Sequence, residues 1–225
     1  MANRVTRRRF MKRAAAVGAV LASGVSAPTT VRAADDKWGD LVGKFSYDGK
    51  PPERKKLTVD KDVECCGKFD IRDESLMVGE KGGIQNVYVY VRSKKVEVCP
   101  DLEETVEEKV KLDNRDCIFQ PHCMTIWWKK QKFWVVNSDP VAQNVAFTPL
   151  LDTPVNVVIP VEGEATLEFH RGQRIPVPIA CNYHPWESAY ILPLDHPYCG
   201  ISAADGTFTI PKLPVGDLEF QVWHE

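Results

Sequence analysis

The segment Cys181–Glu187, which reads Cys-Asn-Tyr-His-Pro-Trp-Glu, holds the residues best suited to chemistry. Its thiol and its imidazole, Cys181 and His184, are separated by two residues and follow a strand-like stretch, Ile175–Cys181. Blue-copper sites use one Cys thiolate and two His in a trigonal plane, with a weak axial ligand such as Met or Gln. A strand that runs into a Cys-x-x-His loop therefore predicts a metal site.

A carboxylate at the end of the same segment leads to a second interpretation. Glu187 offers a hard oxygen ligand, which suits zinc better than cuprous copper. Cys, His and a carboxylate together make a zinc site, to which His122 or Cys123 of a neighbouring strand would add a ligand. Adjacent residues of a strand point to opposite faces, so His122 and Cys123 do not both serve one site.

The elements that must position these residues are short strands. Alternating segments rich in Val, Ile, Phe and Trp are separated by turn clusters along most of the chain, which indicates an all-β sandwich or barrel. Met124–Trp128 and Phe133–Val136 flank Lys129–Lys132 as the two strands of a hairpin would. One acidic stretch, Asp101–Lys109, is predicted as a short helix or a solvated loop.

Several longer motifs resemble one known group of proteins. They are Asn137–Asn144, Cys181-x-x-His184-Pro185-Trp186, Asp195–Tyr198, Asp205-Gly206-x-Phe208 and Val222–Glu225, with Cys66–Lys68, Asp73–Leu76, Leu112–Asn114 and Pro121-His122. Nearly the whole chain after residue 33 is similar to the cupredoxin-like proteins of planctomycete-type bacteria, which are related to methylamine-utilisation accessory proteins. The resemblance implies an exported Greek-key β-sandwich that binds copper through His, Cys, His and Met and transfers electrons to a redox partner protein.

Two of the four ligand positions that the resemblance implies are changed in this sequence. Cys181 and His184 match, whereas Gln143 stands where the family has a His and Glu187 where it has Met. The predicted metal residues are therefore Cys181, His184, Gln143 and Glu187. Three interpretations stay open: a copper electron-transfer site with unusual ligands, a zinc-type site using Cys181, His184 and Glu187, and a metal-free envelope module with a binding or structural role.

The two ends of the chain after residue 33 resemble the beginning and the end of carboxypeptidase-regulatory-like β modules. Residues 38–52 and 199–225 are therefore predicted to pair with each other as a small second β module. The predicted domains are a signal peptide at 1–33, an N-terminal β region with loops at 34–110, a cupredoxin-like domain at 111–198 and C-terminal strands at 199–225. The sequence contains no hydrolase elbow, phosphate loop or c-type haem motif, so an enzyme is not predicted.

Seven cysteines make an odd set, so at least one thiol stays unpaired in a monomer. The predicted disulfide joins Cys65 or Cys66 to Cys117, because these residues lie in loops that flank the central β region. If Cys181 remains a thiolate, the other six cysteines can form three disulfides. The cysteine count is compatible with a metal site and does not require one.

Charge is divided unevenly along the 225 residues. Residues 1–33 hold seven of the 29 Lys and Arg and no acidic residue, which leaves 22 basic against 31 acidic residues and a net charge of −9 in the remainder. Thr6–Lys12, the apolar run Ala14–Ala27 and the small residues up to Ala33 resemble a twin-arginine signal peptide cleaved near Ala33. We therefore expect a periplasmic or otherwise extracytoplasmic protein without a stable membrane span. Its acidic body argues against nucleic-acid binding.

Overall fold

Strands make up most of the regular structure. The structure is a computed structural model and describes residues 37–93 and 95–225, so the predicted signal peptide lies outside the described residues. The elements in chain order are β1 (Trp38–Lys44), α1 (Val63–Cys66), β2 (Tyr88–Val91), α2 (Pro100–Thr105), β3 (Lys109–Arg115), β4 (Ile118–Gln120), β5 (Cys123–Trp127), β6 (Lys132–Asn137), β7 (Gln143–Phe147), β8 (Val155–Ile159), β9 (Glu164–Leu167), β10 (Val177–Ala180), β11 (Ser188–Leu194), β12 (Cys199–Ile201), β13 (Thr207–Pro214) and β14 (Phe220–Trp223).

Two of the sheets form a β-sandwich, which confirms the predicted fold class. One sheet has the strand order β5-β11-β10-β7-β8 and the other has the order β4-β3-β6-β9, so neighbours are often far apart in sequence. Alternate residues of both sheets meet in one buried cluster, in which Phe133 and Val135 of β6 face Val145 and Phe147 of β7. Burying these large side chains between two sheets supplies the main hydrophobic stabilisation of the fold.

The predicted hairpin around Lys129–Lys132 is wrong. β5 pairs in parallel with β11, whereas β6 pairs in parallel with β3 and antiparallel with β9, so the two strands belong to different sheets. The intervening turn is held by Gln131, whose backbone N–H donates to the carbonyl of Trp127 and whose side chain accepts from the Trp127 N–H. The chain therefore crosses from one sheet to the other between β5 and β6, and both strands place apolar residues in the shared core.

A second, smaller β assembly contains both ends of the described chain. β1 pairs antiparallel with β13, and β2 lies between β12 and β14. Their apolar faces meet in a separate buried cluster that includes Val89, Tyr198 and Ile210. Segments at the two ends of the described chain are thereby brought together by strand pairing.

The helices are both short. α2 covers Pro100–Thr105, and the chain is already in β3 from Lys109, so the helix predicted over Asp101–Lys109 ends earlier than expected. Its acidic first turn, with Asp101 and Glu103, suits the positive end of the helix dipole. Neither described helix has the length and apolar character needed to cross a membrane.

Candidate metal centre

The four predicted metal residues converge at one end of the five-stranded sheet. Gln143 begins β7, and its side chain points inward like those of Val145 and Phe147. Cys181 directly follows β10, and Glu187 directly precedes β11, so both ends of the connecting loop enter the site. That loop, residues 181–187, closes on itself through the Glu187 N–H, which donates to the His184 carbonyl at 2.9 Å.

Burial of the four side chains is nearly complete. Gln143 and His184 are 0% exposed, Glu187 is 1% exposed and Cys181 is 3% exposed. The Cys181 Sγ lies 3.7 Å from His184 Nδ1 and 3.5 Å from Gln143 Oε1. Glu187 Oε1 lies 3.4 Å from His184 Nδ1, and one donor atom each of Cys181, His184 and Glu187 lie within 4.8 Å of one another.

The amide of Gln143 is oriented by a buried carboxylate. Gln143 Nε2 donates to Asp139 Oδ2 at 3.0 Å, so the amide oxygen faces Cys181 and His184. Asp139 also accepts the backbone N–H of Cys117 at 3.1 Å. Burial raises the pKa of Asp139, against the opposing effect of these hydrogen bonds.

Both ring nitrogens of His184 face oxygen acceptors. Nε2 lies 2.8 Å from Asp62 Oδ2, and Nδ1 lies 2.8 Å from Gln143 Oε1. Only the imidazolium donates from both nitrogens, so the ring is positively charged in this arrangement. Burial lowers the pKa of His184, but the adjacent Cys181 sulfur and the carboxylates of Glu187 and Asp62 outweigh burial and raise it to about 10.

The carboxylate of Glu187 is buried beside the His184 ring, whose Nδ1 lies 3.4 Å from Oε1 and is hydrogen-bonded to Gln143. Neither of its oxygens accepts a hydrogen bond from the described residues, although the side chain is fully enclosed. A buried carboxylate without hydrogen bonds is costly unless a cation or a proton compensates its charge. Burial raises the pKa of Glu187, and the nearby His184 opposes this shift.

The donor set fits a tetrahedral zinc-type ion. With metal bonds of about 2.0–2.3 Å, the edges of a ligand tetrahedron are roughly 3.3–3.6 Å long. The Sγ–Nδ1, Sγ–Gln oxygen and Nδ1–Glu oxygen distances of 3.7, 3.5 and 3.4 Å are close to these edges. The distance from Nδ1 to the Gln143 oxygen is shorter, 2.8 Å, so these two atoms must move apart before both bind one ion. A trigonal blue-copper set does not fit, because it needs two imidazoles and the group of close donors in the described part of the chain contains one.

His122 and Cys123, considered from the sequence as additional zinc ligands, are outside this donor group. His122 Nε2 bonds Glu225 Oε1 at 2.8 Å, and its Nδ1 lies 3.1 Å from the Ser188 carbonyl oxygen. Cys123 packs in a separate buried cluster with Tyr88. Neither His122 nor Cys123 is therefore placed to bind a metal ion together with Cys181 and His184.

Three supporting residues were not found by sequence reasoning. Asp62 reaches His184 across 122 residues, and no local pattern announces such a contact. Asp139 belongs to the motif Asn137–Asn144, but the sequence does not show that its carboxylate orients Gln143. The side-chain oxygen of Asn144 accepts the backbone N–H of Asn182 at 3.0 Å, which connects the loop at residues 181–187 to β7. The sequence does point to Asn144, because this residue follows Gln143 in the motif Asn137–Asn144.

The comparisons with known proteins gave only remote structural likenesses. No protein-family model and no curated protein sequence matches the chain. Amicyanin from Paracoccus versutus (Thiobacillus versutus) is 14% identical with a TM-score of 0.33, and the alignment covers 47% of this chain and 97% of that chain. The Cu(I) form of an amicyanin mutant is 12% identical with a TM-score of 0.32, over 47% of this chain and 98% of that chain. The donors around Cys181 are therefore interpreted from their own geometry.

Proposed function

We propose that this chain is a non-catalytic β-sandwich protein that binds one zinc ion through Cys181, His184 and Glu187, with Gln143 as the fourth ligand. The observation that carries the proposal is the convergence of three buried metal-type donors: the Cys181 thiol, the His184 imidazole and the Glu187 carboxylate lie within 4.8 Å of one another, and neither Glu187 oxygen accepts a hydrogen bond from the described residues. A doubly charged cation compensates both Glu187 and the Cys181 thiolate. Bound zinc would join the loop at 181–187 to the start of β7.

A structural role suits this site better than catalysis. Catalytic zinc sites keep one position open for water or substrate, whereas structural sites are closed by four protein ligands. All four proposed ligands are at most 3% exposed. The closed donor set therefore supports metal binding that stabilises the sandwich.

The chain's own protons must move when the site is loaded. His184 Nδ1 gives up the proton that it donates to Gln143, and Cys181 gives up its thiol proton. Nε2 of His184 keeps its proton and donates it to Asp62, which keeps the ring oriented with Nδ1 toward the site.

The test is direct metal loading. Protein lacking residues 1–33 is stripped with a chelator and titrated with zinc, and bound zinc is measured by elemental analysis. We expect one zinc per chain and a rise in melting temperature, because a ligand that binds only the folded state stabilises it. Cobalt in place of zinc gives the visible spectrum of a tetrahedral thiolate site.

Two variants and one control complete this test. Cys181→Ser and Glu187→Gln should each abolish stoichiometric zinc, whereas Cys199→Ser, in β12, should leave it unchanged. Absence of stoichiometric zinc in a sample whose Cys181 is shown to be reduced would contradict the proposal and favour the metal-free module.

Copper-dependent electron transfer is the second candidate. It is favoured by the soft Cys181 sulfur beside His184 Nδ1, since thiolate and imidazole are both blue-copper ligands. An intensely coloured site with one copper per chain, in a protein that does not bind zinc, would support copper-dependent electron transfer. Replacing Gln143 with His and Glu187 with Met tests whether the scaffold can hold the complete set.

We also propose that the protein works outside the cytoplasm. The twin-arginine-like leader supports this location, and so does the Cys66–Cys117 disulfide, because disulfides persist in oxidising compartments. Replacing both Arg7 and Arg8 with Lys should retain the chain in the cytoplasm, as cell fractionation would show. The acidic body of the chain favours a partner with a basic surface, because complementary charge steers encounter.

A further inference from the structure

Three cysteine sulfurs meet between α1 and the segment after β3. Cys66 and Cys117 form a disulfide, which is one of the two pairings predicted from sequence. The Sγ of Cys65 is free and lies 4.0 Å from the Sγ of Cys117. All three sulfurs lie within 4.8 Å of one another. A free thiol is therefore in contact with a disulfide.

The local backbone places Cys65 and Cys66 opposite the same partner. Both residues belong to the single turn of α1, and both backbone N–H groups donate to the Asp62 carbonyl, at 2.9 and 2.8 Å. Cys117 is fixed by its N–H, which donates to Asp139, and by its carbonyl, which accepts from the Trp186 indole at 2.9 Å. The contact is thus built into ordered structure.

Of the two disulfide sulfurs, Cys117 is the favoured target for Cys65. The three sulfurs form a compact triangle, so the Cys65 side chain must rotate into line with the Cys66–Cys117 bond before it attacks. An attack on Cys66 would join two adjacent residues, whose Cα atoms lie about 3.8 Å apart. Disulfides usually need a Cα separation of about 4.4–6.8 Å, so this product is disfavoured. An attack on Cys117 instead links Cys65 to a residue across the cluster.

Cys65 is the most exposed of the three cysteines. Cys66 and Cys117 are both 0% exposed, whereas Cys65 is partly exposed. An external thiol therefore cannot reach the existing disulfide directly, but it can reach a disulfide that includes Cys65. Burial and the Asp139 carboxylate raise the pKa of Cys65, so the resting group is the thiol.

We propose that Cys65 is an internal nucleophile that exchanges the Cys66–Cys117 disulfide for a Cys65–Cys117 disulfide, which external thiols then reduce. In the first step the Cys65 thiolate forms a bond to Cys117 Sγ while the Cys117–Cys66 bond breaks. The electron pair leaves on Cys66, which takes up the proton that Cys65 released, so no external oxidant or reductant takes part. In the second step an external thiolate bonds to Cys65 Sγ while the Cys65–Cys117 bond breaks and Cys117 leaves with the electron pair and takes up a proton. A second external thiolate then attacks the external sulfur of this mixed disulfide, which releases Cys65 as a thiol and the two external thiols as a disulfide.

The experiment follows the oxidation state of Cys117 with reduced glutathione as the probe. The full chain without residues 1–33 is incubated with glutathione, quenched with acid, alkylated and mapped by tandem mass spectrometry. We expect Cys65→Ser to slow the reduction of Cys117 several-fold, and Cys199→Ser to leave the rate unchanged. Equal rates in wild type and Cys65→Ser would overturn the proposal.

A second measurement removes the dependence on that variant. In Cys66→Ser, purified in air, we expect a Cys65–Cys117 disulfide, because the two sulfurs are already in contact. Reduced Cys65 and Cys117 in that folded variant would overturn the proposal. Mapping of wild-type protein without glutathione should show both pairings, and the Cys66–Cys117 pairing alone at every time would also contradict it.

Discussion

At the scale of single residues, the protonation of His184 governs the candidate metal centre. Its ring is held between Asp62 and Gln143, and each of these residues accepts one N–H. The hydrogen bond from Nδ1 to Gln143 must be lost when a metal ion binds Nδ1, whereas the hydrogen bond from Nε2 to Asp62 remains and fixes the ring. Carboxylates in this second position raise the basicity of a ligating imidazole.

Asp62→Asn tests the support of His184. The variant removes the negative charge that faces Nε2, and we expect zinc affinity to fall by about 10- to 100-fold. Isothermal titration measures the change. The side chain of Asp62 is 48% exposed, so the fold should survive the substitution.

Asp60→Asn is the matched control for this prediction. It removes the same charge two residues earlier, at an exposed position outside the donor group. Equal losses in the two variants would mean that net charge, rather than the bond from Asp62 to His184, sets the affinity.

Part of this site was predictable from sequence. The spacing of Cys181 and His184 predicted two donors directly, and the family resemblance added Gln143 and Glu187. The hydrogen bond from His184 to Asp62 could not be predicted, because the two residues are 122 positions apart in the sequence. Local patterns carry information about neighbours in sequence, whereas this contact depends on the complete tertiary structure.

At the scale of elements, strand existence was easier to predict than strand pairing. The alternation of apolar residues located β5 and β6, but it did not separate a hairpin from a crossing between sheets. The difference lies in the partners: β5 pairs with β11, which starts more than sixty residues later. Parallel ladders need such distant partners and leave no turn signature between them.

A hydrogen bond joins Glu225, which lies two residues after β14, to His122, which directly precedes β5, and this contact predicts a pH dependence. His122 is buried between Glu225 and Glu74, with ring–carboxylate distances of 2.8 and 3.5 Å. Burial lowers the pKa of His122, but the hydrogen bonds to Glu225 and Glu74 outweigh burial and raise it to about 9.

The sign of the pH effect follows from the raised pKa of His122. The stabilisation is complete below the ordinary value of 6.5 and is lost as pH rises through about 9. Urea unfolding over this range should show a loss of roughly 3 kcal/mol in the free energy of unfolding. His122→Gln should remove this share of the pH dependence and leave the share that the raised pKa of His184 contributes, whereas His170→Gln, at an exposed histidine, should leave both. An unchanged profile in His122→Gln would contradict this assignment.

Close backbone approach at Gly83 predicts a second effect on stability. A Cβ at this position would lie 2.0 Å from the backbone carbon of Asp205, so the chains must move apart. We expect Gly83→Ala to lower the free energy of unfolding by about 1–3 kcal/mol. Gly39→Ala in β1, where a Cβ meets nothing within 4 Å, is the control for chemical denaturation; equal stability of the two variants would refute the close approach.

At the scale of the whole molecule, the disulfide joins parts of the chain separated by 51 residues. It connects α1 to the segment between β3 and β4, while the other cysteines remain free. They are Cys65, Cys99, Cys123, Cys181 and Cys199. The single cross-link constrains a long loop of the unfolded chain, which is where such bonds have their largest effect.

Cys117→Ser therefore predicts a marked loss of stability. It removes both possible disulfide pairings, and we expect the free energy of unfolding to fall by about 2–5 kcal/mol. Cys66→Ser should lose less, because Cys65 takes its place. Guanidinium unfolding of the two variants measures the difference, and equal losses would show that Cys65 does not substitute.

The pairing of early strands with late ones also sets an order of events during synthesis. In the described part of the chain, three of the four sheets include a strand that begins at or beyond Ser188, and β2 pairs with β14, which begins at Phe220. The ribosome must therefore make the chain through β14 before the sheet around β2 can close. A nascent chain that ends before β14 leaves β2 with one of its two edges unpaired.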